Sequence, residues 1–244
     1  MMLPLRDRVI AKILEACCVA RVKAILFDLN GTLAYIEDPV NMERISECLF
    51  SRGYEVSFQP LGAAWSFVSF IDYPRYGYRD WFSFLSRIFW RLKVRVDEKT
   101  LGAIVELLES KPYSLYPDAT EAVVKAKEHG FKTAVVTTIA HFKFEKAIQP
   151  IRRYFDFVMT GYEARCDKSN PKMYQRILEI LGVQPDEAIM IGDEPTLDIE
   201  LPKRLGMNAV LLDRKGEFRG RFVDASVYDL NEAVEIIIRQ CCRS

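Results

Sequence analysis

The chain lacks any imbalance of charge: its 244 residues carry 34 Lys and Arg against 34 Asp and Glu. No basic stripe breaks that balance, so nucleic acid is not an expected partner. Long apolar runs are missing too, and no segment has the length needed to span a bilayer as a helix. No membrane partner is therefore expected. Arg6, Asp7 and Arg8 interrupt the N-terminus before an apolar core can build, which argues against a signal peptide and for the cytoplasm as the expected location. The six cysteines lack the C-x-x-C spacing of a zinc or redox motif. Cys17-Cys18 and Cys241-Cys242 lie near the two termini, where a mutual disulfide ranks below ordinary buried thiols.

Half of the residues are hydrophobic, and the length suffices for one large domain or for a core with a smaller companion. The most informative stretch is A-I-L-F-D-L-N-G-T at residues 24–32. Its four apolar residues are the pattern of a strand buried on both faces of a parallel sheet. Asp28 puts a charge where that strand leaves the core, and Gly31 and Thr32 turn the chain. Chemistry in open α/β sheets sits just beyond the carboxyl ends of strands. Taken alone, Asp28 fits a reactive group and a turn cap equally well.

The rest of the chain alternates. Residues 5–20 have helical spacing. After the strand ending at Asp28 and a short apolar run at 33–36, Asp38-Pro39 reads as a helix start and Gly53 as its stop. From there to about Pro112 the texture changes: Trp65, Phe67, Phe70, Tyr73, Trp81, Phe84, Phe89 and Trp90 crowd together without strand-like alternation. Residues 36–113 are therefore expected to form a helical insertion whose aromatics make a small core of their own, hinged near residues 33–36 and 112–117. The D-Y-P-R-Y-G-Y-R stretch at 72–79 reads as a solvated loop, from which Arg75 or Arg79 would reach an anionic substrate. Beyond it, Pro117-Asp118 caps a helix ending at Gly130. Strands are expected at 131–136, 157–159, 188–191 and 208–212, with helices between them and a last helix at 231–240. This predicts an α/β fold: a Rossmann-like parallel sheet with helices on both faces, formed by residues 1–35 and 114–244, plus a small α-helical cap domain at 36–113.

Polar residues recur where these strands end: Asp28, Thr137, Lys168 and Asp193, with Asp198 five residues further on. Each has an ordinary structural explanation, but together and in this order they form a pattern. The pattern resembles the haloacid dehalogenase (HAD) superfamily of hydrolases. The first motif of that family, D-x-D-G-T after an apolar strand, stands here as Asp28-Leu29-Asn30-Gly31-Thr32. The second is matched by A-V-V-T ending at Thr137, the third by Lys168-Ser169-Asn170-Pro171, and the fourth by G-D-E-P-T-L-D from Gly192 to Asp198. A helical cap inserted after the first motif is typical of the family, and residues 36–113 occupy that place.

The resemblance implies a magnesium-dependent phosphatase of a small phosphorylated metabolite, with an open choice of monomer or homodimer. Asp28 would be nucleophile and metal ligand. Asp193 and the backbone carbonyl of Asn30 would be further ligands, and Asp198 would hold a metal-bound water or orient Lys168. Thr137 would donate to a phosphoryl oxygen, and Lys168 would offset the charge of Asp28 and phosphate. Thr138 joins Arg75 and Arg79 as an expected substrate-binding residue. One residue departs from the pattern. Asn30 stands where the phosphatases carry an acid–base Asp, and an amide neither gives nor takes a proton at neutral pH. Two alternatives follow from that departure: a 2-haloacid dehalogenase-like enzyme, which uses the first Asp without metal, or a non-catalytic protein that binds a phosphorylated ligand.

Overall fold

The structure is a computed structural model that describes residues 22–218 and 226–241. The expected N-terminal helix at 5–20, Cys17, Cys18 and Cys242 lie outside the described residues. Cys48, Cys166 and Cys241 are free thiols.

Six parallel strands form the main sheet in the order β5-β4-β1-β6-β7-β8. They are β1 (Ala24–Phe27), β4 (Lys132–Val136), β5 (Phe157–Met159), β6 (Ala188–Gly192), β7 (Asn208–Leu212) and β8 (Ser226–Val227). β1 is central, with Phe27 opposite Val135 of β4 and Ile191 of β6. Every residue of β1 is buried because helices cover both faces. Ile25 and Phe27 face one core layer with Val135, Ile189 and Ile191, against α6 (Ala119–Glu128), α7 (His141–Ile148) and α11 (Leu230–Cys241). Ala24 and Leu26 face the other with Ala134, Val136 and Met190, against Met173, Tyr174 and Ile177 of α9 (Lys172–Leu181). The alternation of side chains along a strand assigns these two layers directly. Among the described residues, no helix is long and apolar enough to cross a membrane.

A separate antiparallel ribbon pairs β2 (Ala34–Ile36) with β3 (Tyr113–Leu115), Tyr35 opposite Ser114. Three residues are too few for a readable alternation, so the second strand was not expected from sequence. Between the two strands run α1 (Met42–Phe50), α2 (Phe58–Phe67), α3 (Tyr73–Tyr76), α4 (Trp81–Leu92) and α5 (Glu98–Glu109). Ile45, Leu49, Leu61, Phe84, Leu85, Ile88 and Ile104 make a buried cluster within this segment. A wide helical turn at Val68–Asp72 joins α2 to α3.

Three local expectations need correction. Asn41, not Asp38, caps α1: its side chain accepts from the Arg44 N–H at 2.9 Å. Asp38 has positive φ and pairs with Lys111 and Arg44 instead. Asp118 stands at the N-cap position of α6, but its side chain makes no capping bond, because its carboxylate is taken by Arg214 and by the Leu230 N–H. The 72–79 stretch is not a solvated loop at its start. Asp72 is buried and pairs with Arg87 at 2.6 Å, and the Tyr73 hydroxyl meets Thr160 Oγ1 at 2.8 Å.

Candidate active site

The carboxyl ends of β1, β4 and β6 bring Asp28, Thr137 and Asp193 to one edge of the sheet. Asp28 follows β1 directly, and its N–H donates to the Ile191 carbonyl, so the backbone is still in the ladder when the side chain leaves the core. Asp28 is 8% exposed and Lys168 is 4% exposed. The Lys168 ammonium contacts Asp28 Oδ1 and lies 2.5 Å from Asp198 Oδ1. Asp198 is fully buried, and its Oδ2 accepts from the Glu194 N–H at 3.1 Å. A buried lysine between two buried carboxylates is a compensated arrangement; either charge alone would be strongly penalised. Burial opposes the Lys168 charge, but Asp198 and Asp28 outweigh it and hold the ammonium well above its ordinary range.

The cluster carries more negative charge than Lys168 can offset. Carboxylate oxygens of Asp28, Asp193 and Asp198 all lie within 4.8 Å of one another. Burial pushes Asp28 up to about 7 against the opposing effect of Lys168, and the Asp198 charge adds to the rise. Asp193 as a residue is exposed, but its carboxylate turns inward against Gly31. Burial of that end and the Asp198 charge push it up to about 6. Three convergent oxygen donors with one ammonium leave a deficit that a hard divalent cation matches in charge and donor type.

Two glycines make the convergence possible. Gly31 has φ +83, and a side chain there would collide with the Asp193 carboxylate. A side chain at Gly192 would collide with Asp198. The first and fourth motifs therefore interlock: each glycine leaves room for an acid of the fourth.

Thr137 is 2% exposed, and its N–H continues the ladder to the Met159 carbonyl. Its Oγ1 accepts from the Ile139 N–H at 3.2 Å, and a hydroxyl that accepts there still has its own proton to give. Thr138 is half-buried and faces a cavity between the core and the helical segment. Asn30 sits exposed in the turn after Asp28. Arg75 and Arg79 are exposed, and neither pairs with the aspartate cluster; Arg79 lines a separate cleft with His141, Glu145 and Tyr162.

Sequence reasoning missed two supports. Arg214 forms a two-pronged pair with Asp118, both contacts 2.9 Å, and also donates to the carbonyls of Gly31 at 3.2 Å and Thr32 at 2.7 Å. It clamps the turn that carries Asn30 and Gly31. Burial would raise Asp118, but this pairing and the Leu230 N–H hold its carboxyl below the usual range. Tyr174, fully buried on α9, donates to the Leu197 carbonyl at 2.7 Å and so fixes the loop that carries Asp198. Neither had a local signal, since both act across the fold.

Residues 22–206 match the family model of the haloacid dehalogenase-like hydrolases. The chain is 28% identical over 219 residues to a glyceraldehyde 3-phosphate phosphatase of Methanopyrus kandleri, covering 81% of this chain and 86% of that one. It is 31% identical over 108 residues to a phosphoserine phosphatase of Thermus thermophilus, covering 43% of each. In structure it is similar to a HAD phosphatase from Thermococcus onnurineus, with a TM-score of 0.64 and 24% identity over 88% of this chain and 98% of the other. A 2-haloacid dehalogenase from Pseudomonas syringae aligns as well, with a TM-score of 0.65 and 18% identity over 89% and 99%. Fold similarity thus extends to both chemistries. The model match spans most of the chain and agrees with the strand-end constellation: this protein belongs to the haloacid dehalogenase-like hydrolases.

Proposed function

We propose that the chain is a magnesium-dependent phosphatase of a small phosphorylated metabolite, with Asp28 as the nucleophile. The observation that carries this reading is the third carboxylate. Asp28 as a metal-free nucleophile would need Lys168 and little more, whereas Asp193 brings a third carboxylate within 4.8 Å of the other two, a charge that a divalent cation would neutralise. Magnesium would be held by one carboxylate oxygen each from Asp28 and Asp193, with the backbone carbonyl of Asn30 and with Asp198 directly or through water. When bound it would supply charge neutralisation for an anionic ester. The two relatives named as phosphatases support the same class.

The residues then divide the work. Lys168 holds Asp28 Oδ1, which leaves Oδ2 for attack on phosphorus in line with the ester oxygen. The Thr137 hydroxyl donates a hydrogen bond to a phosphoryl oxygen. The P–O ester bond breaks as the Asp28–phosphorus bond forms. Asn30 cannot protonate the departing oxygen, so that proton comes from solvent. Water then attacks the phospho-aspartate, again without a carboxylate base at position 30, and releases phosphate and free Asp28. Loss of a positioned acid–base typically costs about 10²–10⁴-fold. Esters with good leaving groups are therefore favoured. We assign residues 36–113 as a cap that closes over the site and sets specificity.

The test is release of phosphate from an aryl phosphate with and without magnesium, beside release of halide from a 2-haloacid. Magnesium-dependent phosphate release is expected. Halide release without magnesium, with no phosphate release, would replace this reading with the dehalogenase one.

A further inference from the structure

Lys143, on the first turn of α7, holds its ammonium among aromatic rings. Nζ lies 3.9 Å from the ring centre of Phe84, 4.9 Å from those of Trp65 and Trp81, and 5.9 Å from that of Phe142. Three of these rings come from the helical segment and one from α7 itself. Ring faces attract a cation, but they do not satisfy its N–H donors. Among the described residues no carboxylate is within ion-pair distance of this ammonium. Lys143 is half-buried there, burial pushes its ammonium down to about 7, and a paired anion would favour its charged form.

The same side chain lines a cavity of about 380 Å³ between the helical segment and the core. That volume suits a small organic ligand. Its wall includes Trp65, Phe70 and Tyr113, and it reaches Thr138, the residue after Thr137. Tyr113 links it to the reaction centre: burial and the Asp28 charge hold its phenol well above the ordinary range. Lys146 also lines the cavity, with Lys111, which pairs with Asp38, and a single acid, Glu109.

We propose that this cavity binds the organic part of the phosphate ester and that Lys143 selects substrates carrying a second anionic group, a carboxylate or a further phosphate, at the end away from the scissile bond. The inference rests on the phosphatase reading and adds the substrate class to it. The lysine fills the aromatic cage, so the same cavity disfavours esters that carry an ammonium group.

Two aryl esters of nearly equal leaving-group acidity test it: 4-(carboxymethyl)phenyl phosphate and 4-ethylphenyl phosphate. The wild-type chain with magnesium is expected to favour the carboxylated ester by at least about tenfold in kcat/KM, mainly through KM, as for a hydrogen bond to a charged group. Lys143→Met should bring the ratio close to one, and Lys143→Arg should retain part of it. Equal kcat/KM in the wild type, or a Lys143→Met loss of the same factor on both esters, would overturn the assignment and leave Lys143 as a brace between α7 and the helical segment. Calorimetric binding of both esters to the Asp28→Asn chain reads the cavity without turnover. If the wild type hydrolyses neither ester, the phosphatase reading fails, and binding alone decides Lys143: a carboxylate preference removed by Lys143→Met supports its role, and equal affinities refute it.

Discussion

The carboxyl edge of the main sheet and the helical segment between β2 and β3 are held together in different ways. At the sheet edge polar groups hold polar groups. Lys168 joins Asp28 to Asp198, Arg214 joins Asp118 to the Gly31 turn, and two glycines leave room for two carboxylates. In the helical segment volume does the holding: Phe84, Leu85, Ile88 and Ile104 fill a buried cluster, and Trp65, Trp81 and Phe142 meet Phe84 ring to ring. Directional contacts fail when one atom changes, while packed volume tolerates shape-conserving swaps.

The contrast breaks most sharply at Asp28. Asp28→Asn changes one atom and keeps the volume, yet it should lower phosphate release by at least about 10⁴-fold. Steady-state assay beside a circular-dichroism spectrum separates this from misfolding, and retained turnover would remove Asp28 from the nucleophile role.

The reverse substitution at position 30 should sharpen it. Asn30→Asp restores a carboxylate in the exposed turn and is expected to raise turnover of alkyl phosphates by up to about 10²-fold, with a smaller gain for aryl phosphates. Equal gains on both would point away from proton transfer to the leaving group.

Metal binding gives a third, smaller effect. A cation that binds only the native state at 100 times its Kd adds about 2.7 kcal/mol of stability, so magnesium should raise the Tm of the wild type. Asp193→Asn should remove most of that shift. If the shift persists unchanged, the cation sits elsewhere.

The smallest effect belongs to the helical segment. Ile88 is fully buried in α4, and Ile88→Val should cost only about 0.5–1.5 kcal/mol by denaturant titration. The magnesium shift should survive it. A larger loss, or loss of the magnesium response, would mean that the two regions are not separable in this way.

What the sequence made legible follows the same division. Asp28, Thr137 and Asp193 were readable because each follows an apolar strand, and the strand end fixes where its side chain emerges. β1, β5 and β7 appear where the apolar runs put them. Helical spacing gives Lys143 no special face, so the sequence does not mark it. Its significance depends on Trp65, Trp81 and Phe84, brought near only by folding. Arg214 reaches Thr32 across 182 positions, and no local pattern announces such a contact. Asp118 had a good local explanation as a cap, which a stronger tertiary partner displaced.

In the proposed reaction Asp28 carries the phosphoryl group, and Asn30 leaves it there longer than a carboxylate would. Intact-mass measurement on protein quenched shortly after mixing with magnesium and an aryl phosphate tests this directly. A gain of one phosphoryl group is expected in the wild type, absent in Asp28→Asn and shorter-lived in Asn30→Asp. A wild type that releases phosphate but is never modified, together with phosphate release by Asp28→Asn, would contradict this, as would an adduct formed from a 2-haloacid without magnesium.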